Sequence, residues 1–121
     1  MLHDPDPTVQ VQGAFGLSRL GPDARAAVPA LGEALNSGEP LVRQNAALAL
    51  GEVGPDARDA VPALTAALRD PEWSVRRQAA LSLGKVGPDA RAALPELEKL
   101  QRDPRPLVRA AAVEALKRLR P

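Results

Sequence analysis

This sequence has no cysteine and no tyrosine, and only one histidine, one tryptophan and one phenylalanine. Without cysteine there is no disulfide, no thiolate nucleophile and no Cys-type zinc site. A reducing compartment fits that composition, and the expected location is cytoplasmic. His3 stands alone near the N-terminus, which excludes His pairs for a metal and any His-based triad; it reads as a tail residue. Two rings, Phe15 and Trp73, are too few for a stacking platform or a ring-lined pocket. Charge of one sign is also lacking: 16 Lys plus Arg against 15 Asp plus Glu leave a net +1. No strong field gathers nucleic acid or presses the chain onto an anionic membrane. No apolar run approaches the length of a membrane span, and neither a signal peptide nor a membrane span is expected. The expectation is a protein that is not an enzyme, with no cofactor and with neither nucleic acid nor membrane as a partner.

Repetition is what the sequence has in quantity. Gly-Pro-Asp-Ala-Arg begins at Gly21, Gly54 and Gly87, a constant step of 33 residues. Val9, Val42, Val75 and Val108 form one column in this register, and Leu17, Leu50, Leu83 and Leu116 another. Pro29, Pro62 and Pro95 form a third. Residues 42–74 and 75–107 share 19 of 33 positions, far beyond coincidence, so the chain is read as tandem units. These are 9–41, 42–74, 75–107 and a terminal half-unit 108–121, within one domain over 1–121. Met1-Leu2-His3 reads as a start joined to an internal stretch, so a piece of a longer array is expected.

Each unit reads as two helices. In the second unit, Asp56 stands where an N-cap belongs, after Gly54-Pro55. Val61, Leu64 and Leu68 then share one helical face. Pro62 lacks an N–H and falls one turn in, which predicts a kink or a late start. Asp70-Pro71 reads as N-cap and first residue of the next helix. Along that helix Val75, Ala79, Leu83 and Val86 make a core stripe, and Gly87-Pro88 a left-handed stop. Down the chain this gives seven helices. Proline-bearing ones are expected near 24–36, 57–69 and 90–101, the others near 7–20, 40–53, 72–86 and 106–119. Nothing alternates with period two, so no strand is expected.

The order Pro, Asp, Val, Arg, seen in Pro62, Asp70, Val75, Arg76 and in Pro95, Asp103, Val108, Arg109, resembles the HEAT repeat. The subtype is similar to the HEAT-like repeats named after phycobilisome lyases, and to artificial proteins built from them. The resemblance implies an all-α, right-handed α-α superhelix of about three and a half repeats. It also implies a ladder between the acid and base columns: Asp4, Asp70 and Asp103 with Arg43, Arg76 and Arg109. Ser37 replaces an acid and Gln10 a base, so the ladder should be interrupted at the first unit. With a carboxylate column beside them, these arginines read as structural and not as phosphate ligands.

Family geometry places the Val-Arg helices on the concave side. At about 100° per residue, positions two, three, six and ten after the column valine point away from the core. The first set holds Val11, Gln44, Arg77 and Ala110; the second Gln12, Asn45, Gln78 and Ala111. The third holds Phe15, Leu48, Leu81 and Glu114; the fourth Arg19, Glu52, Lys85 and Arg118. An apolar row (Phe15, Leu48, Leu81) with an amide and charged rim reads as a protein- or peptide-binding groove. The competing reading is that these side chains pack between adjacent helices. At the ends, Val9, Phe15, Val108, Val113 and Leu116 are expected to be partly uncovered, which points to a homo-oligomer through the repeat ends. Lys117, Arg118 and Arg120 read as a polar cap on the last helix.

Other sites read as structural. No His-Glu dipeptide of the HEAT-like metal hydroxylases occurs, and Trp73 shares a helix-start column with Pro40 and Pro106. Glu96 and Glu98, and Asp4 and Asp6, read as solvated. The function expected is a non-catalytic protein-interaction scaffold binding its partner on the concave surface. The alternatives are an accessory subunit or fragment of a bilin lyase-like protein, or a consensus-derived design. Nucleic-acid binding would need Arg43, Arg76, Arg77, Lys85 and Arg109 to be unpaired.

Overall fold

The computed structural model describes residues 25–120. The expected helix near 7–20, and with it Phe15, Gln12 and the substituted Gln10, lies outside them. The described residues form six α-helices: α1 (Val28–Ala34), α2 (Pro40–Val53), α3 (Val61–Ala67), α4 (Trp73–Val86), α5 (Leu94–Leu100) and α6 (Pro106–Leu119). Among the described residues there is no strand, and no helix is long and apolar enough to cross a membrane. The Val-Arg helices α2, α4 and α6 lie side by side as one layer, and the proline-bearing helices α1, α3 and α5 pack against them as the other. This is the two-layer α-α solenoid that the 33-residue period predicts.

The core columns are where the helical wheel puts them. Val42, Ala46 and Leu50, Val75, Ala79 and Leu83, and Val108, Ala112 and Leu116 are all buried. Leu31, Leu64 and Leu97, from the other layer, are completely buried against them. Each such leucine contributes about 1.5–3 kcal/mol through its removal from water. Among the described members of the next column, Val53, Val86 and Leu119, Val53 alone is half-buried.

The proline-bearing helices start later than the sequence spacing suggests. Pro62 and Pro95 occupy the first α-helical turn, where no N–H is needed, and the chain before them winds as tighter 3-10 segments, Gly54–Ala60 and Pro88–Ala93. Asp56 therefore lies inside a 3-10 segment and is not an N-cap; Ala60 precedes α3. The segment also joins α2 to α3 without a break, so the described residues make five continuous helical runs. Gly54 and Gly87 turn the chain with φ of 74° and 90°, as expected of glycine, but with ψ of −138° and −151° they lie outside the left-handed helical well.

The α4 start also differs from expectation. Its first residue is Trp73 and its N-cap is Glu72. Asp70 lies two residues before that cap, and its carboxylate is used twice: Oδ1 accepts the Glu72 N–H at 2.9 Å while both oxygens accept Arg43. Trp73 packs against the core, and the Arg105 guanidinium lies 5.1 Å from its ring centroid. That contact ties the start of α4 to the start of α6.

Candidate functional site

Two features fix how the Val-Arg helices stack, and so fix the surface they present. The first is the charged ladder. Arg43 Nε donates to Asp70 at 2.7 Å and Nη2 at 3.1 Å; Arg76 repeats this on Asp103 at 2.8 and 3.2 Å. The third guanidinium nitrogen is held at home, since Arg43 Nη1 donates to the Ser37 carbonyl and Arg76 Nη1 to the Asp70 carbonyl, both at 2.8 Å. Each rung steps 27 residues. The two departures from the pattern, Gln10 and Ser37, stand the same step apart in sequence, and Gln10 lies outside the described residues. Ser37 keeps the turn that Asp makes elsewhere: its Oγ accepts the Glu39 N–H at 3.1 Å.

Burial alone would push the Asp103 carboxyl up. The Arg76 hydrogen bonds, the Arg105 N–H and the Arg76 and Arg109 charges outweigh it, and its pKa lies below the usual carboxylate value. A lowered folded-state pKa gives stability that is present above the unfolded value of about 3.9 and is lost as pH falls through the folded one. The midpoint of thermal unfolding is therefore expected to fall with acid below about pH 4, and to do so less steeply in Asp103→Asn. Circular dichroism melts across pH 2–7 check this; equal slopes for both proteins contradict it. On the other layer, Arg69 and Glu96 form an exposed rung of the same step, with the Glu96 pKa lowered chiefly by the Arg69 hydrogen bond.

The second feature is a row of small residues. Gly51 of α2 faces Ser82 of α4, and Gly84 of α4 faces Ala115 of α6. The buried Ser82 Oγ donates to the Ala47 carbonyl of the neighbouring helix at 2.6 Å. Ridges this low let the helix axes approach closely.

Above this stack lie the residues read as partner contacts. Gln44, Arg77, Asn45, Gln78, Leu48 and Leu81 are all half-buried, while Glu52 and Lys85 are exposed. Leu81 packs against the core as well as facing outward, so the packing reading accounts for part of its surface. Gln78 Nε2 donates to Ser82 Oγ at 3.3 Å, and Lys85 Nζ lies 3.9 Å from Glu52. The charged pair is exposed and worth little to stability. Phe15 and Gln12 lie outside the described residues. Among the described residues, the most exposed large apolar side chains are Leu41 and Leu107, each 54%, and Val113, 39%. Sequence reasoning missed Leu41 and Leu107; their signal is a shared column just before the core valine. Of the end residues expected to be uncovered, Val108 and Leu116 are buried, because their column faces the proline-bearing layer, and Val113 is exposed. Arg109 keeps the home contacts of Arg76, its Nη1 donating to the Asp103 and Pro104 carbonyls at 2.8 and 3.2 Å as Arg76 Nη1 does to those of Asp70 and Pro71 at 2.8 and 3.3 Å, but unlike Arg43 and Arg76 it is exposed. Among the described residues, no group of three or more His, Cys, Asp or Glu side chains could hold a metal ion.

A family model described as HEAT repeats matches residues 1–58 and 55–117. Solved structures agree. An engineered protein superposes with a TM-score of 0.82 at 23% identity, over 97% of this chain and 58% of its own. Human deoxyhypusine hydroxylase, in complex with glycerol, gives 0.76 at 30% identity, over 97% and 40%. The complex of CpcE and CpcF of phycocyanin lyase from Nostoc sp. PCC7120 gives 0.66 at 26%, over 98% and 62%. This chain thus spans 40% to 62% of the length of those chains. No curated protein matches it.

Proposed function

The chain belongs to the HEAT-repeat family, and from that membership we propose that it is a non-catalytic scaffold holding a protein or peptide on the concave face of its Val-Arg layer. The observation that carries this reading is the outward row itself. Leu48 and Leu81 recur at one repeat's spacing, half-buried, between amides (Gln44, Asn45, Gln78) on one side and exposed charges (Glu52, Lys85) on the other. An apolar strip with a polar rim offers area to bury and groups to orient what is buried. Phe15 and Gln12 extend the row by sequence register. Arg43 and Arg76 support a protein partner over nucleic acid, because carboxylates already take their forks. The proposed compartment is cytoplasmic.

The test is substitution of Leu48 and Leu81 by serine, with Phe15→Ser added. Capture of partners from the source cell's lysate is expected to drop by about tenfold or more, with the helical circular dichroism retained. Undiminished capture contradicts the proposal.

The likeness to the Nostoc phycocyanin lyase complex supports a second reading, an accessory subunit or fragment of a bilin lyase-like protein. A visible absorbance shift on mixing the chain with bilin would favour it; an unchanged spectrum favours the scaffold.

A further inference from the structure

We propose that the segment held on the Val-Arg layer is a peptide with an acidic side chain between aliphatic ones, its carboxylate seated on Arg77. This deepens the scaffold reading and rests on it. At about 100° per residue, the positions one before and two, six and ten after the column valine share an arc of about 80° opposite the core. Leu41 and Leu107, each 54% exposed, therefore stand on the same face as Leu48 and Leu81. The middle of that face is α4, packed between α2 and α6. Arg77 stands near its centre. Leu81 follows it by one turn of α4, and its own column holds Gln44 on α2 and Ala110 on α6. One turn before it, the small Ser74 occupies the column that Leu41 and Leu107 fill on the two neighbouring helices, so the surface dips between two leucines.

Charge complementarity selects the occupant. Three of the described arginines are half-buried: Arg43, Arg76 and Arg77. The first two each hold a carboxylate in the fork. Arg77 makes no hydrogen bond or ion pair with another described residue. No acid stands in its column. On the same arc Glu52 lies 3.9 Å from Lys85, and Glu114 precedes Arg118 by one turn of α6, so the bases outnumber the acids by Arg77. A guanidinium takes a carboxylate through two parallel hydrogen bonds. Aliphatic groups laid on Leu41, Leu81 and Leu107 would exclude water from that pair and strengthen it. A phosphate backbone suits the face less well. It is met by several cations at once, whereas Arg43, Arg76 and Lys85 already have carboxylates beside them. One unpaired cation among leucines calls for one carboxylate among aliphatic groups.

The test is selection of a random linear peptide library, displayed on phage, on the full chain. The peptides enriched are expected to share Asp or Glu beside Leu, Ile or Val, and to lose binding to Leu48→Ser with Leu81→Ser. Fluorescence anisotropy then compares one such peptide with a copy whose acid is replaced by its amide. The copy should bind the wild type about ten- to a hundredfold more weakly. Arg77→Gln should bind the two equally, with its far-ultraviolet circular dichroism unchanged. Arg91→Gln, which removes an exposed charge from the 3-10 segment Pro88–Ala93, should keep the full difference. Peptides that bind this face without an acid, or a difference that persists in Arg77→Gln, overturn the inference and leave the scaffold standing. So does low-salt binding of an oligonucleotide that Arg77→Gln abolishes, which would assign the arginine to phosphate. No enriched peptide at all, or binding indifferent to the two serines, contradicts the scaffold reading itself and the inference with it.

Discussion

Replacing Arg76 by alanine is expected to cost about 2–4 kcal/mol of stability, because it strands the Asp103 carboxylate in a nearly buried site. The magnitude follows from what remains. Asp103 keeps the Arg105 N–H at 2.9 Å, but it loses both Arg76 bonds, at 2.8 and 3.2 Å. In a domain near this size the loss should lower the melting midpoint by about 10 °C or more. Arg69→Ala removes an exposed rung with the same sequence step, and should cost far less, because solvent screens that pair. The contrast between the two isolates burial from charge count. A third variant separates stability from register. Arg76→Met with Asp103→Leu removes both charges together, and should recover much of the loss, since buried ion pairs rarely outperform apolar pairs of similar volume. Urea unfolding of the three variants checks these expectations. Equal losses for Arg76→Ala and Arg69→Ala would contradict the role given to burial.

A second large effect is expected at Gly51. A Cβ there would lie 2.5 Å from Ser82 Oγ, 3.0 Å from its Cβ and 3.2 Å from its Cα. Two helices must separate, or Ser82 must give up the Ala47 carbonyl. Overpacking of this kind costs about 1–3 kcal/mol, which exceeds the gain of about 1 kcal/mol from replacing a helical glycine by alanine. Gly51→Ala should therefore destabilise. At Gly84 the nearest atoms are Arg118 Cδ at 3.2 Å and Ala115 Cα at 3.3 Å. The arginine stem can swing away and the backbone needs only a small shift, so Gly84→Ala should be near neutral. Adding Ser82→Ala to Gly51→Ala should recover only part of the loss, because the Ser82 backbone stays where it is. A double-mutant cycle measures that coupling; simple additivity contradicts the contact.

The repeat register made most of the fold legible. The bounds expected for α2 and α6, 40–53 and 106–119, match the structure, because a proline in the first turn fixes the start of each helix locally and Gly54 closes α2. The proline-bearing helices were legible as helices but not in their first turns. A proline one turn in tells of a late start without telling that the turn before it winds as 3-10. Asp70 was legible as a helix-start residue, yet it stands two residues before the cap, where it closes a turn on the Glu72 N–H and also holds the Arg43 fork, as Ser37 closes the same turn with no fork to hold. The ladder came from family resemblance, and the structure supplies its bidentate geometry for Arg43 and Arg76. The Ser82 bond to Ala47 could not be read from the sequence, because a serine in an alanine column signals only small size. At the outward row, the wheel gave direction but not depth. It could not say that Leu81 divides its surface between core and solvent, or that Leu41 and Leu107 are the more exposed leucines.

Hydrogen–deuterium exchange on the chain, alone and with a partner it captures, tests the scaffold reading most directly. Protection is expected along α2 and α4, centred on the peptides that contain Gln44 to Leu48 and Arg77 to Leu81, with α3 and α5 little changed. Protection confined to α3 and α5, on the opposite layer, would contradict it.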